Sequence, residues 1–468
     1  MALILPVLLC LGCGLALVTL RWTRQSPRTS DLLLRASLSI GFGLGIFSVI
    51  FFLARVSGVA NVLALDLTVL GLLLATFLLR TRATPPVTTS LERETFGGPM
   101  WLHRLLTAAF VIALCAAVYS TVLRSLAHPH GDGWDAFAIW NLHARFLFRG
   151  GAHWRDGFSP LIPWSHPDYP LLLPAAVAHF WTFLGYDAPA VPAVIGSAFT
   201  FATVALLFSS LSILRGAVPA MLAGLTLLAT PSFIAVGTSQ YADIPLSFFV
   251  LASIILLRLY DAQPSPRVLA LAGLATGLAA WTKNEGILFV AAIFLARSLR
   301  FRQTKALRHE SRPNADIVFL LLAIFPIFLL VTYFKHFVAP AGDLFSDLPT
   351  MLHKLLDPTR YWIIFKWLTK EFFRFGHWLL IPFPLLVPVY YFFTREETRG
   401  QDSSDRASTL ALALTLAGYS AIYLITPYDL YWHLRFSLSR LFLQLWPSAI
   451  FLFFLAVPRR AAAPARCR

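Results

Sequence analysis

Charge is what this sequence has least of. Only 13% of its 468 residues are charged, 57% are hydrophobic, and the mean hydropathy is +0.70. Soluble domains carry about 25% charged residues, so the composition excludes a water-soluble enzyme. Acidic residues are the scarcer sign, 23 against 38 Lys and Arg, leaving a formal charge of +15. That excess does not point to nucleic acid. The basic residues collect in short loops between apolar runs, as in the positive-inside pattern of membrane proteins, and such loops also suit anionic lipid surfaces. Four cysteines, Cys10, Cys13, Cys115 and Cys467, are too few for a disulfide framework. Cys10 and Cys13 lie inside an apolar run without partner ligands, so no metal or redox role is expected there. Long polar stretches are absent too, which argues for one integrated membrane domain. No internal repeat, Gly-rich phosphate loop, nucleophile elbow or zinc spacing occurs. The first 20 residues lack the basic start of a signal peptide and read as a span.

What is present is a series of apolar runs: 3–20, 32–54, 59–79, 104–126, 190–214, 218–236, 244–260, 267–281, 285–298, 316–338, 377–393, 407–425 and 441–457. They predict an all-α, polytopic transmembrane protein of about 13 spans; a β-barrel would show short alternating segments instead. The basic loops hold Arg21, Arg24, Arg28 and Arg35, then Arg80, Arg82, Arg93 and Arg104, then Arg215, Arg258 and Arg267. The densest, 297–312, carries Arg297, Arg300, Arg302, Lys305, Arg308 and Arg312. Placing all of these in the cytoplasm puts the N-terminus outside and the C-terminus inside.

Segment 170–185 is then too short to cross and reads as interfacial or re-entrant, making 127–189 one external region. Runs 267–281 and 285–298 form a hairpin whose tip, Trp281-Thr282-Lys283-Asn284-Glu285-Gly286, faces outward. A second external region, 339–376, mixes Tyr361, Trp362, Phe365, Trp367, Phe372 and Phe373 with Lys354, Arg360, Lys366, Lys370 and Arg374. That pattern predicts a helix lying in the interface. Residues 394–406 read as a charged connector, and 458–468 as a basic cytoplasmic tail. The domain reading is a three-span extension at 1–103 followed by a catalytic membrane domain at 104–457.

The external face collects the chemistry. Stretch 131–145, GDGWDAFAIWNLHAR, places Asp132 and Asp135 in a polar loop beside lipid, where ionisable groups are costly. In a helix these two share a face; a loop Asp ahead of apolar residues is also an ordinary helix cap. Residues 135–148 read as an amphipathic helix with Trp140 and Phe146 in the interface. Ser165-His166-Pro167-Asp168-Tyr169-Pro170 follows, where X-Pro steps can be mere helix entries. Asp243 precedes Ile244-Pro245, again a possible cap. Lys283 and Glu285 at the hairpin tip can pair with each other. His433 and Arg440 lie among aromatic anchors, Tyr428, Tyr431 and Trp432. Asp66, inside the third span, has no evident partner. Together these residues suit group transfer from a lipid-phosphate donor. A carboxylate takes the acceptor proton, and cations or a divalent metal neutralise the departing phosphate. Glycosyl transfer through an oxocarbenium-like state needs the same parts.

These motifs resemble the GT-C superfamily of polytopic glycosyltransferases. The likeness is to the bacterial branch related to protein O-mannosyltransferases and lipid A aminoarabinose transferases, over residues 104–457. The resemblance is carried by Asp132, Asp135 and Ala144-Arg145, and by His166-Pro167-Asp168-Tyr169-Pro170. It continues in Tyr241-Ala242-Asp243-Ile244-Pro245-Leu246, in the Gly277-to-Lys283 segment, and in Trp432-His433 with Ser437 and Arg440. It implies an inverting enzyme of the inner membrane, with external juxtamembrane helices, that uses a polyprenyl-phosphate-linked sugar. By analogy Asp135, or else Asp132, is the general base. Asp243, Lys283, Glu285, His166, Asp168, Arg145, His433 and Arg440 would bind substrate. A divalent ion (Mg, Mn or Zn) would sit on Asp135 and Asp243. The family often has adjacent acidic residues, whereas Gly133-Trp134 separates them here, and three spans precede its usual start. A transporter or lipid flippase is the competing reading, but it expects ionisable residues or broken helices near mid-membrane in matching halves. A non-catalytic assembly subunit would show no dependence on carboxylates.

Overall fold

The computed structural model is described for residues 3–21, 29–81, 100–308, 313–342, 347–377 and 403–456. Apolar run 377–393, connector 394–406 and tail 458–468 with Cys467 lie essentially outside these residues. Among the described residues the chain is helical, with no strand. The order is α1 (Ile4–Arg21), α2 (Thr29–Ser57), α3 (Val62–Thr81), α4 (Met100–Ala127), α5 (Asn141–Arg149) and α6 (Leu172–Leu184). Then come α7 (Ala190–Arg215), α8 (Ala217–Leu228), α9 (Pro231–Thr238), α10 (Asp243–Ala262), α11 (Pro266–Thr282) and α12 (Asn284–Arg308). The rest are α13 (Pro313–Phe337), α14 (Leu348–Leu356), α15 (Pro358–Arg374), α16 (Ser403–Ile425) and α17 (Leu430–Ala456).

Eight of these helices are long and apolar enough to cross a membrane: α2, α3, α4, α7, α10, α13, α16 and α17. The pair α8 and α9, bent by 64°, makes a ninth if it is one broken span. The difference from about thirteen has physical causes. Helix α1 is apolar but short, α11 has 17 residues, and run 377–393 lies essentially outside the described residues. Helix α12 runs on from its apolar start into the basic stretch. The chain is a multi-pass helical membrane protein.

Helix α10 is the hub, packed on α7, α9, α11 and α17, with 89% of its apolar window buried. By contrast only 11% of α3 and of α4 is buried, so their apolar surfaces face outward to lipid. Helix α2 owes its central place to Gly41, Gly43 and Gly45. A Cβ at these positions would meet Phe248 of α10, Cys10 of α1 and Leu278 of α11 respectively. Small residues allow this close approach of helices where burying apolar surface gives little drive, because lipid is as apolar as the helix.

The two ends of the bundle differ. At one, Asp261 accepts from Arg297 through both carboxylate oxygens, at 2.6 and 2.7 Å, and also from Arg300. Arg258 pairs with Asp405 at 3.0 Å, so α10 is fastened there to α12 and α16. At the other end stand residues 127–189 and the first turns of α10 and α12. Helix α6, the short 170–185 segment, is buried against α2 and α5 and stops at Gly185 in the left-handed conformation (φ 77°). The 339–376 region forms α14 and α15, capped by Asp347 and Asp357, which accept from Thr350 and Thr359 backbone N–H. Helix α15 buries only Ile364 and leaves Tyr361, Trp362, Phe365, Phe372 and Phe373 exposed, an amphipathic helix as its pattern predicts.

Candidate active site

The Asp132/Asp135 loop is shaped by two glycines and a neighbouring tyrosine. Gly131 (φ 89°) and Gly133 (φ 97°) hold a backbone conformation that other L-residues rarely adopt. A Cβ on Gly133 would strike the Tyr241 hydroxyl. Asp132 therefore lies in a bend before the helical segment starts, and the two carboxylates point apart. Asp132 Oδ2 accepts from Arg124 Nη2 of α4 at 3.1 Å, and Arg124 Nε donates to Thr238 Oγ1 at 3.2 Å. Asp135 makes no capping bond; its Oδ2 accepts from Arg440 Nη1 of α17 at 2.5 Å. Directly after it comes a π-helical turn, residues 136–140, of the kind that recurs at functional sites.

Arg440 faces a second carboxylate. Its Nη1 lies 3.8 Å from Asp243 Oδ2, and its guanidinium sits 5.2 Å over the Tyr241 ring. Asp243 is fully buried and its side chain caps nothing. Its Oδ1 accepts from Lys283 Nζ at 3.1 Å and from Gln444 Nε2 at 2.6 Å, while Oδ2 is buried without a hydrogen bond. Lys283 also meets Glu285 Oε1 at 2.8 Å. Gln444 Nε2 lies 3.4 Å from that oxygen, and the Tyr419 hydroxyl donates to Gln444 Oε1 at 2.8 Å, which fixes the amide's orientation. Asp135, Arg440, Asp243, Lys283 and Glu285 are one connected cluster.

A second polar group adjoins it. Asp168 Oδ2 accepts from Asn284 Nδ2 at 2.8 Å and from Lys335 Nζ of α13 at 2.9 Å. His166 stacks on Tyr169, Tyr169 stacks on Trp140, and Lys283 Nζ lies 5.9 Å over the Tyr169 ring. Burial, with Glu285, Asp168 and Asp135 nearby, holds the Tyr169 phenol well above its ordinary range. Burial and the Asp135 carboxylate push Tyr241 up to about 12, so both tyrosines stay neutral donors. His143 is buried beside Ser165, and burial with His166 pushes its imidazole down to about 3. Two non-glycine residues here hold positive φ, His166 (46°) and Gln240 (63°). Gln240 is locked by Asn141, which donates to its Oε1 at 2.7 Å. Strained backbone of this kind persists where surroundings over-determine it. Buried polar atoms without partners cluster in the same place: Asp243 Oδ2, Asn284 Oδ1, Trp140 Nε1 and His143 Nδ1.

Not every candidate joins these groups. Arg145 pairs with Asp187 at 3.2 Å, as does Arg149. Burial would raise the Asp187 carboxyl, but the two guanidinium bonds outweigh it and hold it low. His433 Nδ1 bonds Thr426 Oγ1 at 2.9 Å between the Tyr423 and Tyr428 rings. Trp140, expected in the interface, is 1% exposed and interior. Sequence reasoning missed Gln444, Tyr419, Asn284 and Lys335. A lone Gln inside an apolar run was the one available signal, for Gln444.

The arrangement does not suit a divalent ion. The Arg440 guanidinium fills the space between Asp135 and Asp243, and Lys283 holds the other Asp243 oxygen. Among the described residues no three His, Cys, Asp or Glu side chains gather as a metal site would need.

Residues 167–333 match a family model described as dolichyl-phosphate-mannose-protein mannosyltransferase. The matched segment holds Asp168, Tyr169, Asp243, Lys283 and Glu285; Asp135, Arg440 and Gln444 fall outside it. Searches of curated proteins and of solved structures return no match. The match covers just over a third of the chain and is in keeping with the resemblance to the GT-C superfamily of membrane glycosyltransferases.

Proposed function

We propose that the chain transfers a sugar, with inversion, from its polyprenyl-phosphate donor to an acceptor hydroxyl at the external face of the membrane. The observation that carries this reading is Arg440 standing between Asp135 and Asp243, next to Lys283. An entering phosphodiester anion offers Arg440 and Lys283 a new partner and loosens the hold on Asp135. The freed Asp135 carboxylate accepts the acceptor proton. The acceptor oxygen bonds to the anomeric carbon as the carbon–oxygen bond to phosphate breaks. The released electron pair stays on the phosphate oxygen, where Arg440 and Lys283 meet the growing charge. Asp243, held by Gln444, keeps both cations in place. Asp132, tied to Arg124 at the rim, stands further back.

The lipid tail has a bordering surface. Trp367 and Lys370 of α15 and Tyr431, Trp432, Arg435 and Phe436 of α17 line a cleft of about 520 Å³. None of the charged cluster lines this cleft, but Phe436 lies one turn from Arg440 on the same helix.

The test uses membranes carrying the intact protein and a short-chain polyprenyl-phosphate-mannose probe, the sugar named by the matching family. Asp135→Asn lowers sugar transfer by about 10²–10⁴-fold, the span of general-base catalysis, at unchanged protein abundance. Transfer persists in EDTA, because the cations are side chains. Full transfer in both Asp135→Asn and Asp132→Asn would overturn the mechanism.

A further inference from the structure

Helices α2 and α3, outside the matched segment, hold two buried polar contacts with the segments that carry the candidate site. The first is Ser48 of α2, fully buried. Its hydroxyl donates to the Leu171 carbonyl at 3.2 Å and accepts from the Trp281 indole N–H at 2.9 Å. Leu171 lies two residues after Tyr169, and Trp281 two residues before Lys283. One hydroxyl thus ties together the two segments that bring Asp168, Tyr169 and Lys283 to the cluster. Phe52, one turn further along α2, packs on the Trp281 ring at 5.1 Å.

The second contact joins α3, α6 and α2. His179 of α6 and Asp66 of α3 are both fully buried, with Nε2 3.0 Å from Asp66 Oδ2. His179 Nδ1 lies 2.9 Å from the Phe47 carbonyl, and its ring stacks on Phe47 at 4.2 Å. A carbonyl only accepts, so Nδ1 carries a proton. The facing Nε2 and Oδ2 then need one more proton between them, because two lone pairs at that distance repel. The pair therefore shares a proton and is sealed in the bundle. It anchors the middle of α6, which starts three residues after Tyr169.

We infer that α2 and α3 are a brace for the candidate active site, with Ser48, His179 and Asp66 as positioning residues for Tyr169 and Lys283. This rests on the glycosyltransferase reading for its kinetic consequence, but not for its structural one. Asp66 serves as the hydrogen-bond partner of His179 Nε2. With Nδ1–H on the Phe47 carbonyl, an Asn at 66 can donate an amide N–H to His179 Nε2 and preserve the contact, whereas Leu leaves Nε2 unpartnered.

The experiment compares the full-length protein with Ser48→Ala, Asp66→Asn and Asp66→Leu, by hydrogen–deuterium exchange and by transfer from polyprenyl-phosphate-mannose. Ser48→Ala raises exchange in residues 168–175 and 278–286 but not at the Asp261/Arg297 end. It lowers kcat by roughly tenfold to a hundredfold, the cost of a misplaced group, with a smaller change in KM. Asp66→Leu raises exchange across α6, and Asp66→Asn behaves as wild type. Unchanged exchange in Ser48→Ala overturns the brace, as does Asp66→Asn being as damaging as Asp66→Leu. If exchange responds as stated while the wild-type protein transfers no sugar, the brace stands and the glycosyltransferase reading fails.

Discussion

Arg440→Gln removes the cation that Asp135 and Asp243 share and leaves a neutral side chain of similar reach. At about 4 Å between charges and an effective permittivity near 20, one such pair is worth about 4 kcal/mol. The Arg440 and Asp135 side chains are 23% and 22% exposed. Solvent therefore screens part of that interaction, and the expected coupling between them is about 1–3 kcal/mol. The larger consequence is kinetic. A fixed donor aimed at a growing negative charge contributes about 10²–10³ in rate, so Arg440→Gln should lower kcat by that factor. Arg440→Lys should recover only part of it, because a point charge cannot fork between two carboxylates. The decisive variant is the double, Asp135→Asn with Arg440→Gln. Residues acting as a unit are non-additive, so the double should fall within about tenfold of the worse single. The assay is the initial rate of mannose release from the short-chain donor, in membranes matched for protein amount and thermal midpoint. If the double loses the product of the two single losses, or if Arg440→Gln keeps the wild-type rate, the shared role is refuted.

Lys283→Met takes the nearest cation from a fully buried Asp243 and from the neighbouring Glu285. Removing one partner of a buried pair costs about 3–5 kcal/mol, visible as a large drop in thermal midpoint in detergent. Adding Asp243→Asn and Glu285→Gln should restore most of the stability without restoring transfer; a single-variant loss under about 1 kcal/mol refutes the burial argument. The His143 imidazole is lowered from 6.5 to about 3 in the folded protein. Its contribution is complete above pH 6.5 and is lost as pH falls towards 3, because the unfolded chain takes up a proton that the folded one refuses. Proteolysis within 127–189 should therefore accelerate below pH 6.5, and His143→Gln should flatten that dependence; identical profiles refute it.

Much of this was legible because membrane solvent makes single residues informative. Apolar runs gave the helices, and the scarcity of acidic residues made Asp135, Asp243 and Glu285 conspicuous. Lys283 and Arg440 stood out for the same reason. Partners were harder. Nothing in a linear pattern says that Asp135 meets Arg440 some three hundred residues later, or that Asp132 turns to Arg124. The direction of each carboxylate is set by Gly131, Gly133 and Tyr241 together. Asp66 looked isolated because its partner, His179, belongs to a segment too short to count as a span. Asn284 and Lys335 were illegible as site residues because their role comes only from how α12 and α13 pack, and Gln444 showed only as a lone amide in an apolar run. Arg145 and His433 had the right chemistry, but local pairs, Asp187 and Thr426, are closer.

The π-helical turn at residues 136–140 has a consequence in register. A helix advances by 3.6 residues per turn, so one extra residue rotates everything downstream by about 100°. Upstream of the turn, Asp135 is aimed at Arg440; downstream, Asn141 is aimed at Gln240 and His143 at Ser165. A uniform α-helix through this stretch could satisfy one set of contacts and would swing the other away. The turn works as a phase shifter between a reactive end and a docking end of one continuous segment. Removing a single residue from it would keep both Asp135 and His143 in the sequence and still put them out of step.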